Sequence, residues 1–295
     1  MKKVILIFIL VSIFYLFFNI DSIYLLKEIR FPRYLLVIMV GSTLSVCGFV
    51  YQMMLENPIA DPYILGISSA AALGSSIAFI LGQIILMPIF GFLGSFLTML
   101  IILNIHSFSR IKLILVGVVL NYFIYSLIYI LIISFSYDSF GVFNILLGSL
   151  DYIFSKKEFI YFLTIFGFFI ILLFFLSFYS TKIKILSLGE EVSTSLGLDV
   201  IKTRKKLFFL TSILVGVTTS YAGIIGFVGL IVPGGVRLIH GVSHKSIISL
   251  NIFYGAIFIM VCDIISTSLV SVKLPIGAIT ALIGSPIFIY LIVKK

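Results

Sequence analysis

Long apolar runs separated by short polar punctuation define this chain. The runs cover residues 4–20, 34–55, 63–86, 88–104, 111–135, 159–179, 207–222, 247–270 and 276–293. A helix rising about 1.5 Å per residue crosses a ~30 Å hydrocarbon layer in roughly 20 residues, so each run predicts one transmembrane helix. Residues 225–240 form a further candidate that starts apolar and is broken by Pro233, Gly234 and Gly235, which predicts a short, interrupted crossing. The first run follows Lys2 and Lys3 and reaches bulky Phe17, Phe18 and Asn19 without a small-x-small cleavage site, so it is expected to stay as the first span. The expected fold class is all-α, a single polytopic membrane domain over residues 1–295 with about ten transmembrane helices.

Composition agrees and narrows the function. Of 295 residues, 61% are hydrophobic and 11% charged, against about half and about a quarter in an ordinary soluble domain. Ten spans would take up about 200 residues, which leaves no room for a soluble catalytic or nucleotide-binding domain of ~100 residues or more. The chain contains no G-x-x-x-x-G-K-[ST] phosphate loop, so any ATP chemistry is expected from a partner. The net charge of +9 sits between the apolar runs, where it sets orientation rather than binding nucleic acid. With ten spans, Lys27, Arg30, Arg33, Lys156, Lys157 and Lys273 fall outside and every other Lys and Arg falls inside, as the positive-inside rule requires. Nine spans would strand Lys294 and Lys295 outside. Both termini are therefore expected at the cytoplasmic face of the cell membrane. Cys47 and Cys262 lie within apolar runs and are expected as small packing residues.

Several residues could carry chemistry. Gly41, Ser45, Gly48 and Gln52 recur on one helical face, which suits either tight helix packing or the lining of a water-filled route. Asn57-Pro58 and Asp61-Pro62 make a rigid turn. In the charged segment 181–206, Leu188, Val192 and Leu196 share a helical face, and Gly197 permits the positive φ that ends such a helix. Arg30 and Arg33 flank Pro32; they suit interfacial anchoring or bidentate pairing with carboxylates. Asp263 is a carboxylate inside a span, so it is expected to gate a pathway or to bond an internal Ser or Thr. His240 and His244 fall in a cytoplasmic loop, and no metal site is expected from their spacing.

Taken together, Ile29-Arg30-Phe31-Pro32-Arg33, Glu56-Asn57-Pro58-Ile59-Ala60-Asp61-Pro62, Leu186 to Gly197, Gly226 to Pro233, Asp263, Leu274-Pro275-Ile276-Gly277 and Ile283-Gly284-Ser285-Pro286 resemble, in order, the signature of the FecCD family. These are permeases of ABC importers for iron-siderophore complexes, haem and vitamin B12. The resemblance implies the type II ABC importer permease fold and a homodimer or paralogous heterodimer with its pathway along the subunit interface. It also implies two ATP-binding-cassette ATPase subunits that hold ATP and Mg, with no cofactor in this chain, and an extracytoplasmic substrate-binding protein. Residue by residue, it implies docking of that binding protein on Arg30 and Arg33; Lys273, on a neighbouring outside loop, is expected to add a third contact. ATPase coupling falls to Leu188, Gly189, Glu190, Glu191, Leu196 and Gly197. From their own chemistry and spacing, gating or pathway roles are expected for Gly41, Ser45, Gly48, Gln52, Asn57, Pro58 and Asp263. An iron chelate is the expected cargo, with cobalamin and molybdate as alternatives; an ion-gradient-driven transporter is the rival class. Glu56, Gly234 and Lys273 depart from the family pattern, where Arg, His and Glu are usual.

Overall fold

The computed structural model describes residues 1–18, 23–104, 110–135, 139–242, 246–268 and 274–293. Among them the chain forms ten helices of thirteen residues or more and no strand. These are α1 (Lys2–Phe17), α2 (Phe31–Met54), α3 (Ile67–Ile80), α4 (Met87–Leu103), α5 (Arg110–Ser134), α6 (Lys156–Phe178), α7 (Val200–Ala222), α8 (Val228–His240), α9 (Ile247–Ser268) and α10 (Ile276–Val293). The expected ten spans and these ten helices coincide in order.

Local chemistry sets the starts and stops. Pro32 and Pro88 sit in the first turns of α2 and α4, where a missing N–H breaks no helical bond. Ser155 caps α6 by accepting from the Glu158 N–H at 3.3 Å, and Glu158 accepts from the Ser155 N–H at 2.8 Å. Asp199 caps α7 through the Lys202 N–H at 2.9 Å. That bond and the Lys202 ammonium hold its carboxyl below the usual carboxylate range. The cap is therefore present above the ordinary carboxylate pKa and is lost as pH falls through the depressed value.

Helix α2 lies at the centre. From Leu36 to Met54 every side chain except Ile38 is buried, and α9, α8 and α7 surround it. Lipid tails are as apolar as leucine, so helices in a bilayer associate through close backbone approach and polar contacts rather than hydrophobic burial. At Gly41 an added Cβ would collide with the carbonyl of Gly255 on α9, and at Gly48 with that of Gly229 on α8. Tyr51 adds a hydrogen bond to Thr211 Oγ1 on α7 at 2.7 Å. Large apolar side chains instead cover the outside of α1, α5 and α6, among them Leu10, Phe14, Val119, Phe123, Ile171 and Phe174. This is the inverse of a soluble bundle, and it fits lipid as the solvent.

Three expectations change in detail. The run 63–86 yields only the fourteen-residue α3, because Gly66 (φ 78) precedes it and Gly82 (φ 71) follows it. Pro233 does not break α8, which runs unbroken through it. The segment between α5 and α6 carries its own helix, Ser139–Leu147, packed on α3, α7 and α10.

Candidate functional site at the two ends of α2

The two ends of α2 are held by two very different arginines. At the N-terminal end, Arg33 meets Asp263 of α9 in a bidentate ion pair, Nε to Oδ2 at 2.9 Å and Nη2 to Oδ1 at 2.5 Å. Its Nη1 pairs with Asp151, on the segment that precedes α6, and Tyr15 of α1 donates to Asp263 Oδ2 at 2.6 Å. Arg33 is 8% exposed and Asp263 1%. One cluster thus ties α1, α2, α9 and the connection ahead of α6. A buried pair of this kind survives because every charge has a partner and the fork geometry matches the carboxylate.

The docking role expected for Arg33 is not what this geometry displays: its guanidinium points inward, onto Asp263 and Asp151. Asp263 faces protein, as its cost in lipid demands, yet its partners are Arg33 and Tyr15 rather than Ser or Thr. Arg30 stays half-buried, donating through Nη2 to the Phe18 carbonyl and lying 5.4 Å over the Tyr15 ring. Lys273 lies outside the described residues. The sequence marks Asp151 only as half of a polar pair with Ser149 in the long outside connection, and Tyr15 not at all, since nothing in spacing links residues more than a hundred positions apart.

At the C-terminal end, Gln52 does two jobs. Pro233 has no N–H, so the Gly229 carbonyl one turn earlier lacks its helical donor. Gln52 Nε2 supplies it at 2.8 Å, with a longer contact to the Leu230 carbonyl at 3.4 Å. Gln52 Oε1 then accepts from Arg237 Nη1 on the last turn of α8. The proline, the amide and the arginine form one unit, which explains why α8 continues through Pro233.

Gly41, Ser45, Gly48 and Gln52 are therefore a packing face in this structure. All four are buried, with Ser45 donating to Asn251 Oδ1 at 3.1 Å. The route-lining alternative is not where the geometry puts them, since α8 and α9 fill the space a route would need. Asn57 and Pro58 sit just past α2; Asn57 Oδ1 accepts from the Ile59 N–H at 3.0 Å and so braces the turn. Asp61 is buried with Oδ1 bonded to the Tyr63 N–H at 3.1 Å and Oδ2 without a partner.

The segment 181–206 is two short helices, Ser180–Leu186 and Glu190–Ser195, not one helix over 188–196. Gly189 at φ 100 makes the corner, a backbone that an L side chain adopts only under strain. Ser193 Oγ donates to the carbonyls of Ile185 at 2.8 Å and Gly189 at 2.6 Å, locking the corner. Gly197 at φ 79 closes the second helix, with its N–H to the Thr194 carbonyl at 2.9 Å and that of Leu198 to the Ser193 carbonyl at 3.0 Å. Glu190 pairs with Arg204 of α7 at 2.9 Å. Leu188, Val192 and Leu196 are 57%, 46% and 60% exposed, and Glu191 is exposed beside them. The segment is braced within itself and leaves Leu188, Val192 and Leu196 exposed among Glu190, Glu191, Thr194 and Ser195.

Comparison with known proteins completes the picture. The model of the FecCD transport family matches residues 4–294. The chain belongs to the FecCD transport family. This is a family of ABC transporter permease subunits, membrane-embedded through many helices and not themselves catalytic. Similar proteins include the uncharacterized ABC transporter permease YvrB of Bacillus subtilis (strain 168), 31% identical over 92% of this chain and 79% of that protein. A Helicobacter pylori (strain J99 / ATCC 700824) protein named "Probable iron chelatin transport system permease protein" is 33% identical over 92% of this chain and 82% of its own length. The vitamin B12 import permease BtuC of Salmonella typhi is 32% identical over 91% and 83%. Among solved structures, one described as "An inward-facing conformation of a putative metal-chelate type ABC transporter" is similar with a TM-score of 0.89 and 26% identity, over 100% of this chain and 98% of that one. PsaBC of Streptococcus pneumoniae shares the fold, with a TM-score of 0.58. The resemblance read from the sequence motifs and the all-α fold of about ten helices are both borne out.

Proposed function

We propose that this chain is the permease subunit of an ATP-driven importer that moves an iron chelate, a siderophore complex or haem, into the cytoplasm. Cobalamin and molybdate are the alternative cargoes. The iron chelate is favoured by the similarity to the Helicobacter permease and to the metal-chelate transporter. Both termini lie on the cytoplasmic side, as the lysine and arginine distribution supports. Two such chains, alike or paralogous, form the pathway between them, and two ATPase subunits hold ATP and Mg.

The observation that carries this reading is the exposed face of Leu188, Val192 and Leu196, set on a corner rigidified by Gly189, Ser193 and Gly197 and strapped to α7 by Glu190 and Arg204. Three large apolar residues in water on a braced segment call for a partner's cleft. Movement of that cleft on ATP binding would be passed to α7 through the Glu190–Arg204 pair, shifting the population between inward- and outward-facing states. On the opposite face, a binding protein would dock on Arg30 with exposed Lys27, Lys156 and Lys157, its acidic residues meeting these cations.

Gly197→Pro tests the coupling directly. Proline fixes φ near −65° and removes the N–H that bonds Thr194. In vesicles holding the full complex, assembly and ATP hydrolysis should persist while uptake of a radiolabelled ferric chelate is lost. Unchanged uptake would overturn the assignment.

A further inference from the structure

Arg237 stands out once its surroundings are counted. Its guanidinium carries five N–H donors. Among the described residues its hydrogen-bond partner is Gln52 Oε1, and no carboxylate lies within 4.0 Å. None of its nitrogens is sealed off from solvent without a partner, so the remaining donors reach open space. That space is a cavity of about 260 Å³, lined by Gln52, Glu56, Asn57, Pro58, Ser187 and Arg237 together with Met53 and Val242. Water can reach those donors in the open cavity, and an oxyanion would replace it with shorter, charge-assisted hydrogen bonds to a cation that has one neutral protein acceptor. The cavity is too small for a whole metal chelate and ample for one carboxylate or phosphate group with its immediate substituents.

The positioning is built in. Gln52 is pinned at its Nε2 end by the carbonyl that Pro233 leaves free, so its Oε1 holds the guanidinium in one place. Asn57 and Ser187 bring further polar groups to the wall. Glu56, the acid on the wall, has Oε2 turned toward Gly189, 3.8 Å from where a Cβ there would lie. We propose that this cavity is a binding site for an oxyanion group, a carboxylate or a phosphate, held by the free donors of Arg237. The group comes either from a soluble anion or from the headgroup of an anionic lipid; basic pockets between spanning helices take lipid phosphates in just this setting. The cytoplasmic location of the site rests on the topology proposed above, whereas binding to it does not depend on transport.

The test measures binding with no transport step. The purified chain with its ATPase partner is placed in nanodiscs of phosphatidylcholine alone or with phosphatidylglycerol added, and citrate binding is titrated calorimetrically while retained lipid is read by native mass spectrometry. A soluble source predicts citrate binding in both discs; a lipid source predicts retained phosphatidylglycerol that excludes citrate. In either case Arg237→Gln should weaken the bound anion by about tenfold or more, the loss of one to two charge-assisted hydrogen bonds. Ser187→Leu, which fills the cavity and leaves Arg237 and Gln52 in place, should do the same, so the result does not hang on one variant's folding. Anion binding unchanged in both variants, or no anion bound in either disc, would overturn the site. Failure of uptake in the coupling experiment with anion binding intact would instead count against the transport reading alone.

Discussion

Arg33 and Arg237 sit at opposite ends of the same central helix, and the contrast between them separates what holds this molecule together from what it leaves open. Arg33 is matched by two carboxylates and closed to solvent, and its cluster binds four parts of the chain into one body. Arg237 is matched by one amide oxygen and faces a cavity. The same side chain is structural where its charge is cancelled and available where it is not.

The largest effect that would break this comparison is at the cancelled end. Asp263→Ala leaves Arg33 buried without its bidentate partner and should cost about 3–5 kcal/mol of stability, seen as a large drop in the thermal midpoint in detergent. Replacing both partners, Arg33→Met with Asp263→Leu, should recover most of that loss, because no charge is left buried: Asp151, which loses Arg33 as well, is partly open to solvent. A double variant as unstable as the single one would remove the ion pair from the account. Next in size is Gly48→Leu, which must push α2 away from the Gly229 backbone and should cost on the order of 1–3 kcal/mol or prevent assembly. Gln52→Leu should cost about 1–3 kcal/mol, since it orphans the Gly229 carbonyl that Pro233 cannot serve; a neutral outcome would show that α8 does not need the amide. Arg237→Ala should cost less than any of these, roughly 1 kcal/mol, because it removes a single hydrogen bond and no ion pair. Smallest is Asp61→Asn. Burial pushes the Asp61 carboxyl up to about 7, against the lowering effect of the Tyr63 N–H, so below neutral pH it is mostly protonated; there an amide of the same shape should shift the thermal midpoint by little, within about 1 kcal/mol, while a large loss would mean that the charged form is the one that matters.

The helices were legible because lipid favours one simple pattern, long apolar runs; among the described residues five of the ten are long and apolar enough to cross by themselves, while α3 and α8 are shorter than their runs suggested. The small-residue face of α2 was legible as well, since Gly41 and Gly48 at helical spacing announce close approach. What spacing could not supply was which partner each side chain would choose. Arg33 looked like an outward fork until Asp263 and Asp151, 230 and 118 positions away, were brought to it. The sequence does carry one such signal: a proline inside an apolar run frees the carbonyl four residues back, and a lone glutamine inside another span is the natural donor for it. Reading Pro233 and Gln52 together would have kept α8 whole. The coupling segment shows the converse. Its exposed leucines and Gly197 were visible in the sequence, but the corner at Gly189 was hidden, because glycine is as compatible with a helix start as with a break.

The account stands or falls on whether the work is done by separate subunits that grip the face bearing Leu188, Val192 and Leu196. Accumulation of a radiolabelled ferric chelate in proteoliposomes, with this permease alone and then with the ATPase subunits, binding protein and MgATP, measures that most directly. The prediction is uphill accumulation only in the complete system, abolished when the ATPase is omitted. Accumulation against a gradient by the permease alone, without nucleotide, would contradict it.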